Sequence, residues 1–398
     1  MKRITIFTIL ITLCGTLMAQ NTEAIRLVLN TIEANNTTLK AAGDRQQAQD
    51  LRASSGIFLA NPEFEFGYLW GSASTPGNRI DASIKQSFDF PTVYVQKKKI
   101  ALAERSMSAN EYRAARRDIL LAAERCCVEL TYLGAMENEL QARFKDAKQM
   151  ATAYQKSFEQ GSANALENNK AQMNLLSVQS QLQDITSQRA SQLTMLQQLN
   201  GGIAIHFDER MFDRGSHLAD GDGFEGWFAA AAIQSPALEY LAAQITVAER
   251  QVKLSRAEGL PRLALGYRTE AVMGGEQFQG VLASVSIPLW QNTNNVKAAK
   301  ASLRAAQSTV TDQKMQFYEQ LRTLYERAVA LEKIDADFHR SYTALSNVDL
   351  LGKALAAGEI SLLDYLVEIG LNYALIDKDL ATERDLYLTR AELFSFAL

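Results

Sequence analysis

The chain has 398 residues, with 41 Lys and Arg against 45 Asp and Glu for a net charge of −4, and 3 Cys. That mild acidity argues against a nucleic-acid partner, which would need a basic patch or stripe. The adjacent Cys126 and Cys127 fall in a helical stretch where neighbouring side chains diverge, so they read as small buried apolar residues without a disulfide framework. His206, His217 and His339 are scattered and leave no metal-ligand spacing. No Ser/His/Asp order or glycine-rich phosphate loop appears, so neither a cofactor nor an enzymatic activity is expected.

Residues 1–19 read as a signal peptide. Lys2 and Arg3 form a positive start, Ile4 to Leu17 is apolar but too short to span a bilayer, and Ala19 is a small residue before the cut. Cys14 leaves lipidation open, although Leu13 before it is larger than such a site prefers. No later stretch approaches the ~18 consecutive apolar residues of a transmembrane helix, so a membrane span would have to be built from strands.

The remainder is written twice, with the copies about 197 residues apart. Asn61-Pro62 precedes one alternating stretch and Leu260-Pro261 another. Phe88 to Pro91 has its counterpart in Val285 to Pro288, and Gly161 to Glu167 in Gly358 to Asp364. The first repeat covers 20–199, a connection runs through 200–233, and the second repeat covers 234–398. Each copy reads as helix, strand, strand, very long helix, turn and helix. In the first, a helical run over 22–60 leads to strands at 63–70 and 79–90 and a helix over 94–158. In the second, a helix at 236–258 leads to strands at 262–272 and 278–288 and a helical stretch over 294–357. A helix of that length is about 90–100 Å long at 1.5 Å per residue. Apolar positions step by three and four, through Ile119, Cys126, Leu130, Leu133, Leu140 and Phe144 in the first copy. In the second they pass through Leu321, Leu324, Ala328, Leu331 and Ile334. Both sets are coiled-coil-like seams.

The strands alternate. Phe64, Phe66, Tyr68 and Trp70 share one face, opposite Glu63, Glu65 and Gly67. Ile80, Ala82, Ile84, Phe88 and Phe90 oppose Arg79, Asp81, Lys85 and Asp89, with Gln86 the exception on the apolar side. Such alternation fits a membrane barrel strand, and it fits a half-buried sheet on a soluble core equally well. Four strands cannot close a barrel, and an open edge in lipid leaves backbone groups unpaired at several kcal/mol each. A membrane location therefore demands copies. Three chains would close twelve strands and line up twelve helical lanes, which points to a homotrimer.

The order Asn61-Pro62, then Ser284 to Trp290 (SVSIPLW) entering an Ala-rich helix, then Gly358 to Tyr365 (GEISLLDY), resembles the outer membrane efflux protein family of TolC over residues 22–397. The resemblance implies a mainly α fold with a twelve-stranded β-barrel in the outer membrane of a Gram-negative bacterium, continuous with a helical barrel in the periplasm. It implies a passive channel for efflux or type I secretion. Its partners would be outer-membrane lipid, a periplasmic membrane-fusion adaptor and an inner-membrane pump of the resistance-nodulation-division type. Length and the Ile287 to Trp290 segment suggest the cation and heavy-metal branch. The resemblance places the turns at Gly161 and Gly358, with Glu359 beside the second, where an adaptor docks, and matches Glu167 and Asp364 to an acidic constriction. Both acids equally suit capping boxes, with Asn164 and Ser361 as the N-caps. Asp81, Lys85, Asp89 and Arg268 would line the barrel lumen. A periplasmic coiled-coil adaptor or scaffold is the alternative, but such a protein would carry its long hairpin once.

Overall fold

The computed structural model describes residues 23–72, 77–206, 223–290, 292–345 and 348–398. The signal peptide, with Cys14, and much of the connection, including His217, lie outside the described residues. Among the described residues no helix is long and apolar enough to cross a membrane, and no cluster of His, Cys, Asp and Glu could hold a metal ion.

Helices α1 (Glu23–Asn35) and α2 (Thr37–Ser54) occupy the first helical run. The run is interrupted at Asn36, whose Oδ1 accepts from the Leu39 amide at 2.7 Å, while its Nδ2 donates to the Leu199 carbonyl at 2.8 Å. A side chain that starts a new helix and ties it to a distant one replaces the single helix expected over 22–60. Strands β1 (Glu63–Leu69) and β2 (Arg79–Phe88) follow, then α3 (Pro91–Glu159) and α4 (Ala165–Leu199). Within the connection lies α5 (Gly223–Gln234), a helix the sequence reading did not anticipate. The second copy holds α6 (Pro236–Ala257), β3 (Arg262–Val272), β4 (Gln277–Ser286), α7 (Asn295–Leu345), α8 (Val348–Ala357) and α9 (Leu362–Leu393). Ser235 caps α6 and Pro236 sits in its first turn, where a missing N–H costs nothing.

The chain divides into two compact units. One takes residues up to Lys40 with Ala115–Gln234 and Tyr318–Leu398; the other takes Ala41–Ala114 and Ser235–Phe317. The first is helical. Its largest apolar cluster joins Ile25, Val28, Leu29 and Ile32 of α1 to Leu120, Ala123, Cys126, Cys127 and Leu130 of α3 and Leu196 of α4. Cys126 and Cys127 are both buried, so two adjacent rows of α3 are covered, which is wider than a two-helix seam because α3 packs between two neighbours. Burial pushes the Cys126 thiol up to about 11 and raises Cys127 as well, which keeps both as inert thiols.

On α7 the expected seam holds at Leu321 and Ala328, then drifts. Ile334 is exposed, and Glu332 takes the buried position, held by Arg390 of α9 at 2.5 Å. Glu332 continues the buried row of Leu321, Tyr325 and Ala328 at steps of four and three, and Ile334, two residues on, falls on the other side of the helix.

The second unit contains a single antiparallel sheet among the described residues, in the order β1-β2-β3-β4. β1 and β4 are its two edges. The strands end at Leu69, Phe88 and Ser286, slightly short of the expected limits.

Candidate functional site: the sheet faces and the hairpin turns

Cross-strand register assigns every strand side chain to a face. Phe64 pairs with Ile84, Phe66 with Ala82, Ile84 with Tyr267, Leu265 with Ala283, and Tyr267 with Val281. This apolar face is open to the surroundings: Phe64 is 72% exposed, Phe66 62% and Val281 81%. A half-buried soluble sheet would have packed the same row onto a core. Gln86 lies on this face too, and its amide donates to the Ala60 carbonyl at 2.7 Å, so its polar group is spent on the backbone that leads into β1. Trp70 lies just past β1 and meets the Tyr68 ring edge-on, with centroids 5.3 Å apart.

The opposite face is charged and self-paired. Lys85 reaches its cross-strand partner Glu63 at 3.0 Å. Asp81 stands directly across from Glu270, a like-charge juxtaposition that would be destabilising alone. Arg268 bridges the two at 3.6 and 3.7 Å, and Arg79 holds Glu270 at 2.5 Å. Gly67 stands opposite Asp81, and a Cβ there would fall 2.4 Å from the Asp81 carboxylate, so a side chain at this place on β1 would displace that carboxylate. Asp81, Lys85 and Arg268 thus share one face as the alternation predicts. β2 ends at Phe88 and α3 begins at Pro91, so Asp89 sits in the junction between them, with Arg262 at 3.2 Å and Lys97 at 3.5 Å.

The two hairpin turns belong to the helical unit and are built alike. Gly161 and Gly358 have φ of 74° and 72°, in the left-handed region that glycine enters freely. Ser162 N–H donates back to the Ser157 carbonyl at 2.8 Å, and Glu359 N–H to the Ala354 carbonyl at 3.0 Å, closing the Schellman pattern in both copies. Then each next helix opens with a capping box. Asn164 Oδ1 accepts from Glu167 N at 2.9 Å while Glu167 Oε2 accepts from Asn164 N at 3.1 Å. Ser361 Oγ accepts from Asp364 N at 3.2 Å while Asp364 Oδ2 accepts from Ser361 N at 3.3 Å. Gly161, Gly358, Glu359 and Asp364 are exposed and Glu167 is half-buried. Ala151, Ala171 and Leu362 form one buried cluster, with Tyr154 and Leu366 against it, so the two turns are carried on a shared base.

Sequence reasoning missed a buried polar group farther along the helical unit. Arg143, 3% exposed, donates to Asp377 at 2.7 Å and to Glu139 at 3.0 Å, and lies 4.1 Å over the Tyr373 ring. Its one visible signal was the i,i+4 spacing to Glu139; nothing in the sequence pairs it with a residue 234 positions away.

No protein-family model matches the sequence, and no curated protein matches it. Among solved structures the chain is similar to the CmeC outer membrane channel of Campylobacter jejuni, at 17% identity over 94% of this chain and 85% of that one, with a TM-score of 0.77. It is similar to CusC at 14% identity over 95% and 92% of the two chains, with a TM-score of 0.78. It is also similar to the outer membrane protein VceC of Vibrio cholerae, at 15% identity over 94% of each chain, with a TM-score of 0.73. At these identities the shared property is architecture: a mainly helical chain with a small antiparallel sheet. The chain has the fold of the TolC-type outer-membrane channels.

Proposed function

We propose that three copies of this chain form the outer-membrane duct of a tripartite efflux or type I secretion system, a passive tube between periplasm and exterior that performs no chemistry. The observation that carries the reading is an open four-stranded sheet with an exposed apolar face. In water such a face is an aggregation hazard, and in lipid its unpaired edges are costly. Closing β4 of one copy on β1 of the next removes both problems, and twelve strands lie within the range of known barrels.

In that arrangement the apolar face meets lipid, and Asp81, Lys85 and Arg268 with Glu270 line a hydrated lumen. Because these charges neutralise one another, they wet the pore without favouring one sign. The turns at Gly161, Gly358 and Glu359 form the periplasmic end, where a membrane-fusion adaptor docks beneath an inner-membrane pump. Glu167 and Asp364 ring its neck and favour cations there. The similarity of fold to CmeC, described as an outer membrane channel, supports this reading.

Cell fractionation tests it. The expected result is a heat-resistant trimer in the detergent-extracted outer membrane that gives discrete conductance steps in planar bilayers. A monomer released with the soluble periplasm would overturn the proposal and favour a scaffold.

A further inference from the structure

Among the described residues, charge is unevenly distributed around the sheet. At the end where the strands meet the helices, the first acid on α3 is Glu104 and the first on α7 is Asp312. Neither helix carries an acid in its first turn, where the helix dipole would favour one. Lysines follow within the first nine residues of each: Lys97, Lys98 and Lys99 on α3, and Lys297 and Lys300 on α7. Lys97 is engaged by Asp89 at 3.5 Å. The other four are exposed. A chain of net charge −4 thus places five lysines and no acid in the first nine residues of these two helices, an excess that suits an external anion.

The same end bears exposed apolar groups. Trp290 is 82% exposed and Leu289 66%, following directly on the apolar face of β4. On α3, Lys98 and Lys99 lie between Val95 and Leu102 at i, i+3, i+4 and i+7, so they share a helical face with two exposed apolar side chains, at 49% and 58%. A face that alternates aliphatic and ammonium groups, one to two turns past the end of a lipid-facing strand, suits a headgroup layer. Apolar stems there stay with acyl chains, and ammonium ends snorkel to phosphate.

We propose that Lys98, Lys99, Lys297 and Lys300 form a binding surface for anionic phospholipid headgroups in the leaflet at the helical end of the barrel. The inference rests on the barrel reading above and adds lipid selectivity to it. Charge complementarity identifies the partner, since a zwitterionic headgroup would offer four ammonium groups no net attraction.

The test uses the full chain with Trp70→Phe and Trp227→Phe, which leaves Trp290 as the reporter. It is reconstituted with brominated phosphatidylglycerol in one arm and brominated phosphatidylethanolamine, at equal mole fraction, in the other. Phosphatidylglycerol should quench Trp290 about twofold more strongly at low salt, and the excess should fade as salt screens it. Replacing the four lysines with Gln should abolish the excess without preventing assembly. Equal quenching by the two lipids, or an excess that survives the replacement, overturns the inference. Absence of quenching by either lipid would instead sink the barrel reading itself.

Discussion

The sheet and the helical unit use charge and apolarity in opposite ways. In the sheet, Phe64, Phe66 and Val281 are exposed, and the charges gather on the other face, where Arg268 joins Asp81 and Glu270. In the helical unit, Met136, Leu140 and Ala147 are buried, and Arg143 is buried in the same stretch of α3, paired with the partly exposed Asp377. One region turns its apolar side outward, which in the proposed duct meets lipid. The other closes on itself, where an enclosed polar group without a partner is costly. The contrast teaches that amphipathic spacing locates a face, while burial in the folded chain identifies the medium.

The largest expected effect separates these media. Val281→Arg places a cation on the apolar face, where a barrel strand at mid-bilayer loses about 2–4 kcal/mol for each copy. Heat-resistant trimer in the outer-membrane fraction should disappear. Ser284→Arg, on the polar face of the same strand, should leave it intact. Equal tolerance of both substitutions would show that neither face touches lipid.

Next comes the enclosed charge. Asp377→Leu leaves Arg143 buried with Glu139 as its remaining carboxylate, and the loss should be about 3 kcal/mol. Arg143→Met combined with Asp377→Leu should recover most of it, because removing both partners leaves no uncompensated charge. Thermal unfolding followed by circular dichroism in detergent checks this. A double variant as unstable as the single one would mean that the pair contributes through shape rather than charge.

These two regions also differed in how far they could be read from the sequence. Strand faces follow from a period of two, so Asp81, Lys85 and Arg268 fell on one side and Phe64 and Phe66 on the other. The turn at Gly161 was legible because its glycine and capping box recur at Gly358 and Ser361. Long helices announced themselves by the near-absence of breakers. Helix faces were harder. The α7 seam passes to Glu332, which pairs with Arg390, and the interruption at Asn36 depends on the Leu199 carbonyl, so both involve residues remote in sequence. α5 carries Phe224, Trp227 and Phe228, whose edge-on and tilted ring contacts with Tyr318 and Tyr325 become visible only once α7 is brought against it.

A smaller effect concerns the turns, where structure and transport overlap. Glu167→Ala with Asp364→Ala removes one half of each capping box, and about 0.5–1 kcal/mol should be lost at each turn. If the carboxylates also ring the neck, single-channel conductance rises and divalent-cation block weakens. Loss of stability with unchanged electrophysiology would confine both acids to capping.

The smallest effect is a pH dependence in the helical unit. Arg116 donates through Nε and Nη2 to both oxygens of Glu33, each at 2.6 Å, and this hydrogen bonding holds the Glu33 carboxyl below its usual value of 4.5 against the opposing effect of burial. A carboxyl whose folded pKa is depressed binds its proton more readily in the unfolded chain. Its stabilisation is therefore complete above the unfolded value and declines as pH falls through the lower folded one. The pair is partly solvated, with 30% and 36% of the two side chains exposed, so solvent screening keeps the gain below about 1 kcal/mol. Glu33→Gln should then be slightly less stable than the parent at neutral pH, and the two unfolding curves should converge as the solution is acidified below about 4. A gap that stays constant through that range would assign the contribution of Glu33 to packing against Arg116, with no ionic share.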